Sequence, residues 1–320
     1  MKTEYQKLSA QFINSNFVKK IEQGRIKEAE DEGSRFIRSR MRQDSFAREI
    51  LNPVEISADE LDRDVDTDQP KKIIEKEPDS VASFVTFKGA GQKTIFRGPR
   101  YSVYFGKVES QHFTKSKFEL MTYQNDIRKI LTDNSVKDMA DEEDRKFLET
   151  VDSLAADNGR VFDCSLAAGG APVVLPGTPP LTTGELDGGV IRLGIQKLLA
   201  QKIPVGKILM AKSLYYRVLD LPATTIGDQI AMRHYDEGVE AEQKLFGFPV
   251  VTTIKDDIID DNSIYFFGPQ EYLGNFFLLQ DATLFIKQEA DMIEFWSYSA
   301  PGIGIGNANS IVKLTNVIHP

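Results

Sequence analysis

The chain has 320 residues, 41% of them hydrophobic, and a formal net charge of −9. That is enough for a real core in one large or two modest domains, with roughly three-quarters of the unfolded surface buried. The acidic balance argues against sequence-reading contacts with a phosphate backbone, no apolar run is long enough to span a bilayer, and the start MKTEYQKLSAQF lacks the apolar stretch of a signal peptide.

A single cysteine, Cys164, excludes an intrachain disulfide framework and a cysteine metal cluster, and fits folding in a reducing compartment. It reads as a small, partly buried thiol. The charge is uneven. Residues 1–50 carry eleven Lys/Arg against eight Asp/Glu, so +3, which leaves −12 for the rest. The basic run Arg35, Arg38, Arg40, Arg42 and Arg48 reads as solvated or facing a neighbour; non-specific contact with DNA is the other reading.

In chain order, residues 1–50 read as polar helix with sparse apolar positions (Phe12, Ile13, Phe17, Val18, Ile21, Phe36, Ile37), interrupted at Gly24 and Gly33. Such a helix cannot build its own core, so it packs on something else or frays. Residues 52–80, with Pro53, Pro70 and Pro78, read as an acidic extended strap rather than part of a domain. Val81–Phe113 reads as a strand-rich arm, with Tyr101, Val103 and Phe105 on one face and Ser102, Tyr104 and Gly106 on the other.

From Lys117 to about Asn158 there is neither Pro nor Gly, and the spacing of Leu120, Tyr123, Ile127, Ile130, Leu131, Met139, Phe147, Val151 and Leu154 predicts one continuous helix, roughly 63 Å long at about 1.5 Å per residue. Its middle, Asp141–Lys146, is polar all round, which predicts a helix packed at its two ends with an exposed or subunit-facing centre. Residues 159–189 are rich in Gly, Pro and Ala and read as loop. A mixed α/β segment follows: helix Val190–Gln201, strand Lys207–Ala211, helix Ser213–Leu219 capped by Ser213, and strands Phe248–Ile254 and Ser263–Phe267. The stretch Asn275–Val317 is strand-rich, and Trp296 reads as core.

Three patterns suggest chemistry. Asp64-x-Asp66-x-Asp68 with Glu75 echoes a calcium loop, but Gln69 and Pro70 stand where the sharp glycine turn belongs, so it reads as a solvated strap. Gly302-x-Gly304-x-Gly306 echoes a dinucleotide fingerprint, yet neither helix nor acidic partner follows, and it reads as a connection between two strands. Asp256, Asp257, Asp260 and Asp261 read as an exposed turn rather than an acid/base pair. His112, His234 and His319 have no metal-ligand spacing. No catalytic, cofactor-binding or metal-binding residue is assigned, and no enzymatic activity is expected.

The order of parts, with ILNPVEISADELDRDVDTDQPKKIIEKEPDS, FRGPRYSVYFGKVESQHFTKS, DIRKILTDNSVKDMADEEDRKFL and LFGFPVVTTIKDDIIDDNSIYFFGPQEYLG, resembles the major capsid protein of tailed bacteriophages, the Hong Kong 97-like fold. The resemblance covers nearly the whole chain. It implies an α+β fold with an N-terminal arm and strap over 1–80, an extended β-hairpin loop over 81–115 lying on a neighbouring subunit, a peripheral domain with the spine helix over 116–159, an axial α/β domain over 160–274, and peripheral return strands over 275–320. It further implies self-assembly into hexamers and pentamers of an icosahedral virion shell, put together in the host cytoplasm around double-stranded DNA that is not read by sequence. Scaffolding, portal and decoration proteins are the partners it leaves room for, with no membrane. Some members weld subunits through a Lys–Asn isopeptide bond; neither Lys88 nor Lys93 is matched to that role. Two alternatives are an encapsulin-type cellular compartment and, on the Gly302–Gly306 pattern alone, a nucleotide-using enzyme.

Overall fold

The computed structural model describes residues 2–75, 84–85, 98, 100–122, 127–164, 188–217 and 244–317. The helices are α1 (Lys2–Glu22), α2 (Ile26–Asp44), α3 (Phe46–Ile50), α4 (Lys117–Thr122), α5 (Ile127–Asp157), α6 (Gly188–Leu199), α7 (Lys212–Tyr216) and α8 (Gln270–Leu273). The strands are β1 (Pro53–Glu55), β2 (Asp62–Arg63), β3 (Pro70–Glu75), β4 (Arg100–Tyr104), β5 (Val108–Glu109), β6 (Phe113–Ser116), β7 (Val161–Asp163), β8 (Lys207–Ala211), β9 (Lys244–Leu245), β10 (Phe248–Thr253), β11 (Ile264–Phe267), β12 (Gly274–Glu289), β13 (Met292–Ile305) and β14 (Ile311–Thr315).

They form three sheets. One runs β1-β12-β13-β5, with β6 also on β13; a second runs β7-β14-β11-β8-β10-β9; a third is β2-β3-β4. The long antiparallel pair β12–β13 is the backbone of the first sheet, and alternation along it sends Ala282, Leu284, Ile286, Ile293 and Phe295 into a core with α1, α2, α4 and the front of α5. A larger core lies around the second sheet, against α3, the back of α5, α6 and α7. The last predicted strand therefore does not lie with the other return strands: β14 pairs with β7 and β11 in the second sheet.

The N-terminal helices are folded onto the body. Gly24, at φ 71°, breaks them as expected, but Gly33 does not. It sits inside α2, where a Cβ would collide with Leu284 of β12, so glycine lets helix and sheet approach closely. That approach has a use. Beyond Leu278, β12 has no strand partner on its β1 side among the described residues, and α2 covers that edge. Ser34 Oγ accepts from Leu284 N at 3.0 Å, Glu30 Oε1 accepts from Ile286 N at 3.0 Å, and Arg38 Nε donates to Ala282 O at 3.0 Å. An exposed ladder edge is thereby closed by side chains.

Two expectations about length are corrected. The predicted 42-residue helix is α4 followed by α5, with 123–126 outside the described residues; α5 alone has 31 residues, roughly 46 Å at about 1.5 Å per residue. The strap is not a free linker. β1 joins β12 in parallel, and β3 pairs with β4 from Lys71↔Tyr104 to Glu75↔Arg100, so the hairpin begins at Pro70 rather than Val81. Lys88 and Lys93 lie outside the described residues. In the second sheet, the strand at Lys207–Ala211 is as expected, whereas the helix after it is Lys212–Tyr216 and Ser213 does not cap it; its hydroxyl donates to Asp261 at 2.7 Å.

Candidate functional site at the hairpin base and the long helix

The middle of α5 was expected to be exposed or to face another subunit. Arg145 and Lys146 are exposed as expected, but the other face of this stretch is buried within the same chain. Glu143 and Asp144 are both fully buried, between the apolar ends marked by Met139 and Phe147. Glu143 takes a bidentate pair from Arg48, Nε to Oε2 at 2.7 Å and Nη2 to Oε1 at 2.9 Å, and a third bond from Ser299 Oγ at 2.9 Å. The remaining arm of Arg48 donates to Asp281 Oδ1 at 3.0 Å. Burial opposes the guanidinium charge, but the Glu143 and Asp281 carboxylates outweigh it and raise its pKa.

Asp144 works in the opposite direction along the helix surface. It accepts from Ser45 Oγ at 2.7 Å and from the backbone N–H of Ala47 at 2.9 Å and Phe46 at 3.3 Å, so it caps α3 from a different element. Lys255, from the loop after β10, completes the group by binding Asp144 at 2.5 Å and Asp141 at 2.9 Å. Burial holds the Asp144 carboxyl above its ordinary range despite these partners. One node thus ties the end of the N-terminal helices, the long helix, β12, β13 and the second sheet. Of the basic run, Arg48 is buried in this node and Arg38, partly exposed, bonds the sheet edge.

A second guanidinium fixes the far end of α5. Arg160 is buried and donates to Ile311 O at 3.2 Å and to Lys197 O at 3.1 Å, satisfying a carbonyl in the last turn of α6. Burial without a carboxylate partner lowers its pKa.

The hairpin base is seated on the body by a steric track. Tyr101, Val103 and Phe105 share one face, as the alternation predicted, and they point at Gly306, Gly304 and Gly302 in turn. A Cβ at Gly302 would come within 2.6 Å of Phe105, one at Gly306 within 2.8 Å of Tyr101, and one at Gly304 would collide with Val103 Cγ2. The glycines are therefore not a connection between strands, as expected from sequence. Gly302 and Gly304 lie inside β13 and Gly306 just beyond its end, and they are small so that the hairpin can lie close. Gly106 N donates to Pro301 O at 3.1 Å, and Lys72 stands 4.9 Å over the Phe277 ring. A short 3₁₀ turn (Ala308–Ser310) and β14 follow, with no α-helix to receive a pyrophosphate.

The other sequence candidates scatter. Asp64 bonds Thr67 and Lys71, and Glu75 pairs with Arg100 across the hairpin at 2.6 Å, so the calcium-loop carboxylates do not converge. Asp256, Asp257 and Asp260 lie in an exposed turn, with Asp257 on Arg145 at 3.1 Å. Cys164 is buried, and burial pushes its thiol up to about 11. Trp296 is not core: it faces outward between His112 and Phe285. His234 and His319 lie outside the described residues. The buried node left one sequence signal, a charged pair flanked by apolar helix on both sides, that alone did not name its partners.

No protein-family model matches the sequence, and no curated protein matches it. Solved structures do. A chain from the crystal structure of a virus-like particle from Pyrococcus furiosus is 14% identical, with a TM-score of 0.54 over 89% of this chain and 98% of that one. A chain of Mycobacterium phage Adephagia is 10% identical, with a TM-score of 0.56 over 85% and 90%. The capsid of a native GTA particle gives 13%, 0.50, 84% and 88%. The likeness is one of fold, and the fold is the α+β Hong Kong 97-like one.

Proposed function

We propose that this Hong Kong 97-like chain is a non-enzymatic major capsid protein that assembles into the hexamers and pentamers of an icosahedral shell around a phage genome. The observation that carries the reading is the coverage of 98% of the Pyrococcus virus-like particle chain. A likeness over nearly all of that chain concerns its full fold rather than one sub-region of it.

In this reading the hairpin rooted at β3 and β4 reaches over a neighbouring copy. The first sheet with α5 forms the peripheral domain, and the second sheet forms the axial domain around each capsomer centre. Closed rings arise from heterologous contacts that close on rotation, and the shell sums many modest interfaces. A net charge of −9 suits a container that does not bind its DNA tightly. Scaffolding, portal and decoration proteins are the partners such a shell takes, in a virion assembled in the host cytoplasm.

Electron microscopy of the purified protein, with and without a scaffold, tests this. Closed particles are expected; a protein that stays monomeric under every assembly condition overturns it. A second reading within the same fold is an encapsulin-type cellular compartment loaded with protein. Nuclease-protected DNA inside particles from the native host selects the virion, and a co-purifying protein cargo selects the compartment.

A further inference from the structure

On the outer face of β12–β13, away from the helices, side chains form one continuous stack. Lys107 Nζ stands 4.5 Å over the Tyr298 ring. Tyr298 stacks on Phe285 at 4.7 Å and 1°, Phe285 on Trp296 at 5.8 Å, and Trp296 on the His112 imidazole at 5.1 Å and 6°. Glu109 closes the row, since its carboxylate binds Lys107 at 2.9 Å and His112 Nε2 at 3.3 Å. The other ring nitrogen, Nδ1, lies 2.7 Å from Glu294 Oε1.

A neutral imidazole has one N–H. Here both nitrogens face carboxylate oxygens, so only the imidazolium makes both bonds. The position matters too. Residues 105–116 carry the chain from the hairpin strand β4 to α4, and His112 lies between β5 and β6, where the ladder to β13 is interrupted. At that gap Ser110 N donates to Ser297 O at 2.8 Å and its hydroxyl accepts from Ser297 N at 2.9 Å on the inner side, and the His112 side chain adds the fastening on the outer face.

We propose that His112, Glu109 and Glu294 form a proton-operated clasp that holds the trailing leg of the hairpin on the first sheet, closing when the imidazole is protonated and slackening when it is neutral.

The charged groups around the ring are Glu109 and Lys107 on its own segment, Glu294 from β13, and Lys287 from β12, which is bound to Glu289. β6 places neutral Thr114 opposite Glu294 and turns Lys115, opposite buried Ile293, to the inner face. Behind β5, α5 offers neutral Ser135, 3.5 Å from Ser110. The bond to Glu294, against some desolvation and with help from Glu109, raises the imidazole pKa. A raised folded value means that the clasp is complete below the ordinary imidazole value of about 6.5 and fades as pH climbs through the raised one.

Hydrogen exchange of the full-length chain, read on the peptide over 105–116 and corrected for intrinsic rate, tests the clasp between about pH 6 and about pH 9. Protection in the wild type should fall with pH, about tenfold for each unit by which the fold raises the imidazole. His112→Gln should remove the step, and Glu294→Gln should shrink it. Proton NMR of the wild type supplies a reading that needs no stable variant: one histidine titrating above its ordinary value. Protection that ignores pH, a step that persists in His112→Gln, or a His112 that titrates at or below its ordinary value overturns the clasp. The readout is local, so its failure leaves the shell reading standing.

Discussion

Val103 occupies the space over Gly304 that any side chain there would need. Gly304 is in extended strand, with no positive φ to require glycine, so the constraint is purely one of room. Gly304→Ala should therefore destabilise the subunit by about 1–3 kcal/mol through overpacking. Adding Val103→Ala should return a measurable part of that loss, because the two changes share one contact. Urea denaturation of the two single variants and the double variant gives the coupling; simple additivity would mean that the hairpin base is not seated on the glycines.

Arg48 neutralises two carboxylates that have no water to turn to. Arg48→Met should cost about 3–5 kcal/mol, since Glu143 and Asp281 would remain buried and uncompensated. Arg48→Met with Glu143→Gln should lose less than Arg48→Met alone. Denaturant midpoints at neutral pH check the order; equal losses would show that the node contributes packing rather than charge pairing.

Stability should fall on the alkaline side. Burial raises the Cys164 thiol from 9.0 to about 11, and it also raises the hydroxyls of Tyr265, Tyr215 and Tyr101. The unfolded chain releases these protons first, so each group withdraws stability as pH rises above its ordinary value. Lys255 acts with the same sign: its raised pKa contributes below the ordinary lysine value and is lost above it. Thermal melts from pH 8 to 11 should show a steady decline, and Cys164→Ala should flatten the part between about 9 and 11. A melting temperature constant over that range would contradict the burial of these groups.

Replacing residues 78–97 by a short Gly/Ser turn should leave β3 and β4 paired and the subunit folded, because the base has its own ladder and its own core of Ile56, Val103, Phe105 and Phe277. Under the capsid reading such a subunit cannot close shells. Circular dichroism with electron microscopy separates the outcomes; normal particles from the shortened chain would remove the loop's assigned part in assembly.

Local pattern carried much of the secondary structure. The alternation of Tyr101, Val103 and Phe105, the apolar run 207–211, and the helical spacing of Met139, Phe147 and Val151 each report a period that one element sets by itself. Pro70–Glu75 was missed because a leading proline and flanking charge mask a short strand, central in its sheet, whose partner Arg100–Tyr104 is distant in sequence. Trp296 was misplaced because a strand residue faces core or solvent by register alone, and an aromatic residue suits either side.

The amino-acid order by itself determined where the long helical stretch and the alternating strand face fall, since these depend on neighbours a few residues away, and, through the order of its parts, a whole-chain resemblance to one fold. Only the tertiary structure decided where the charges go. Arg48 meets Glu143 across 95 residues and Asp281 across 233. A mid-helix acidic pair looks solvated until a distant cation arrives to make its burial tolerable, and that arrival is a property of the folded chain in space.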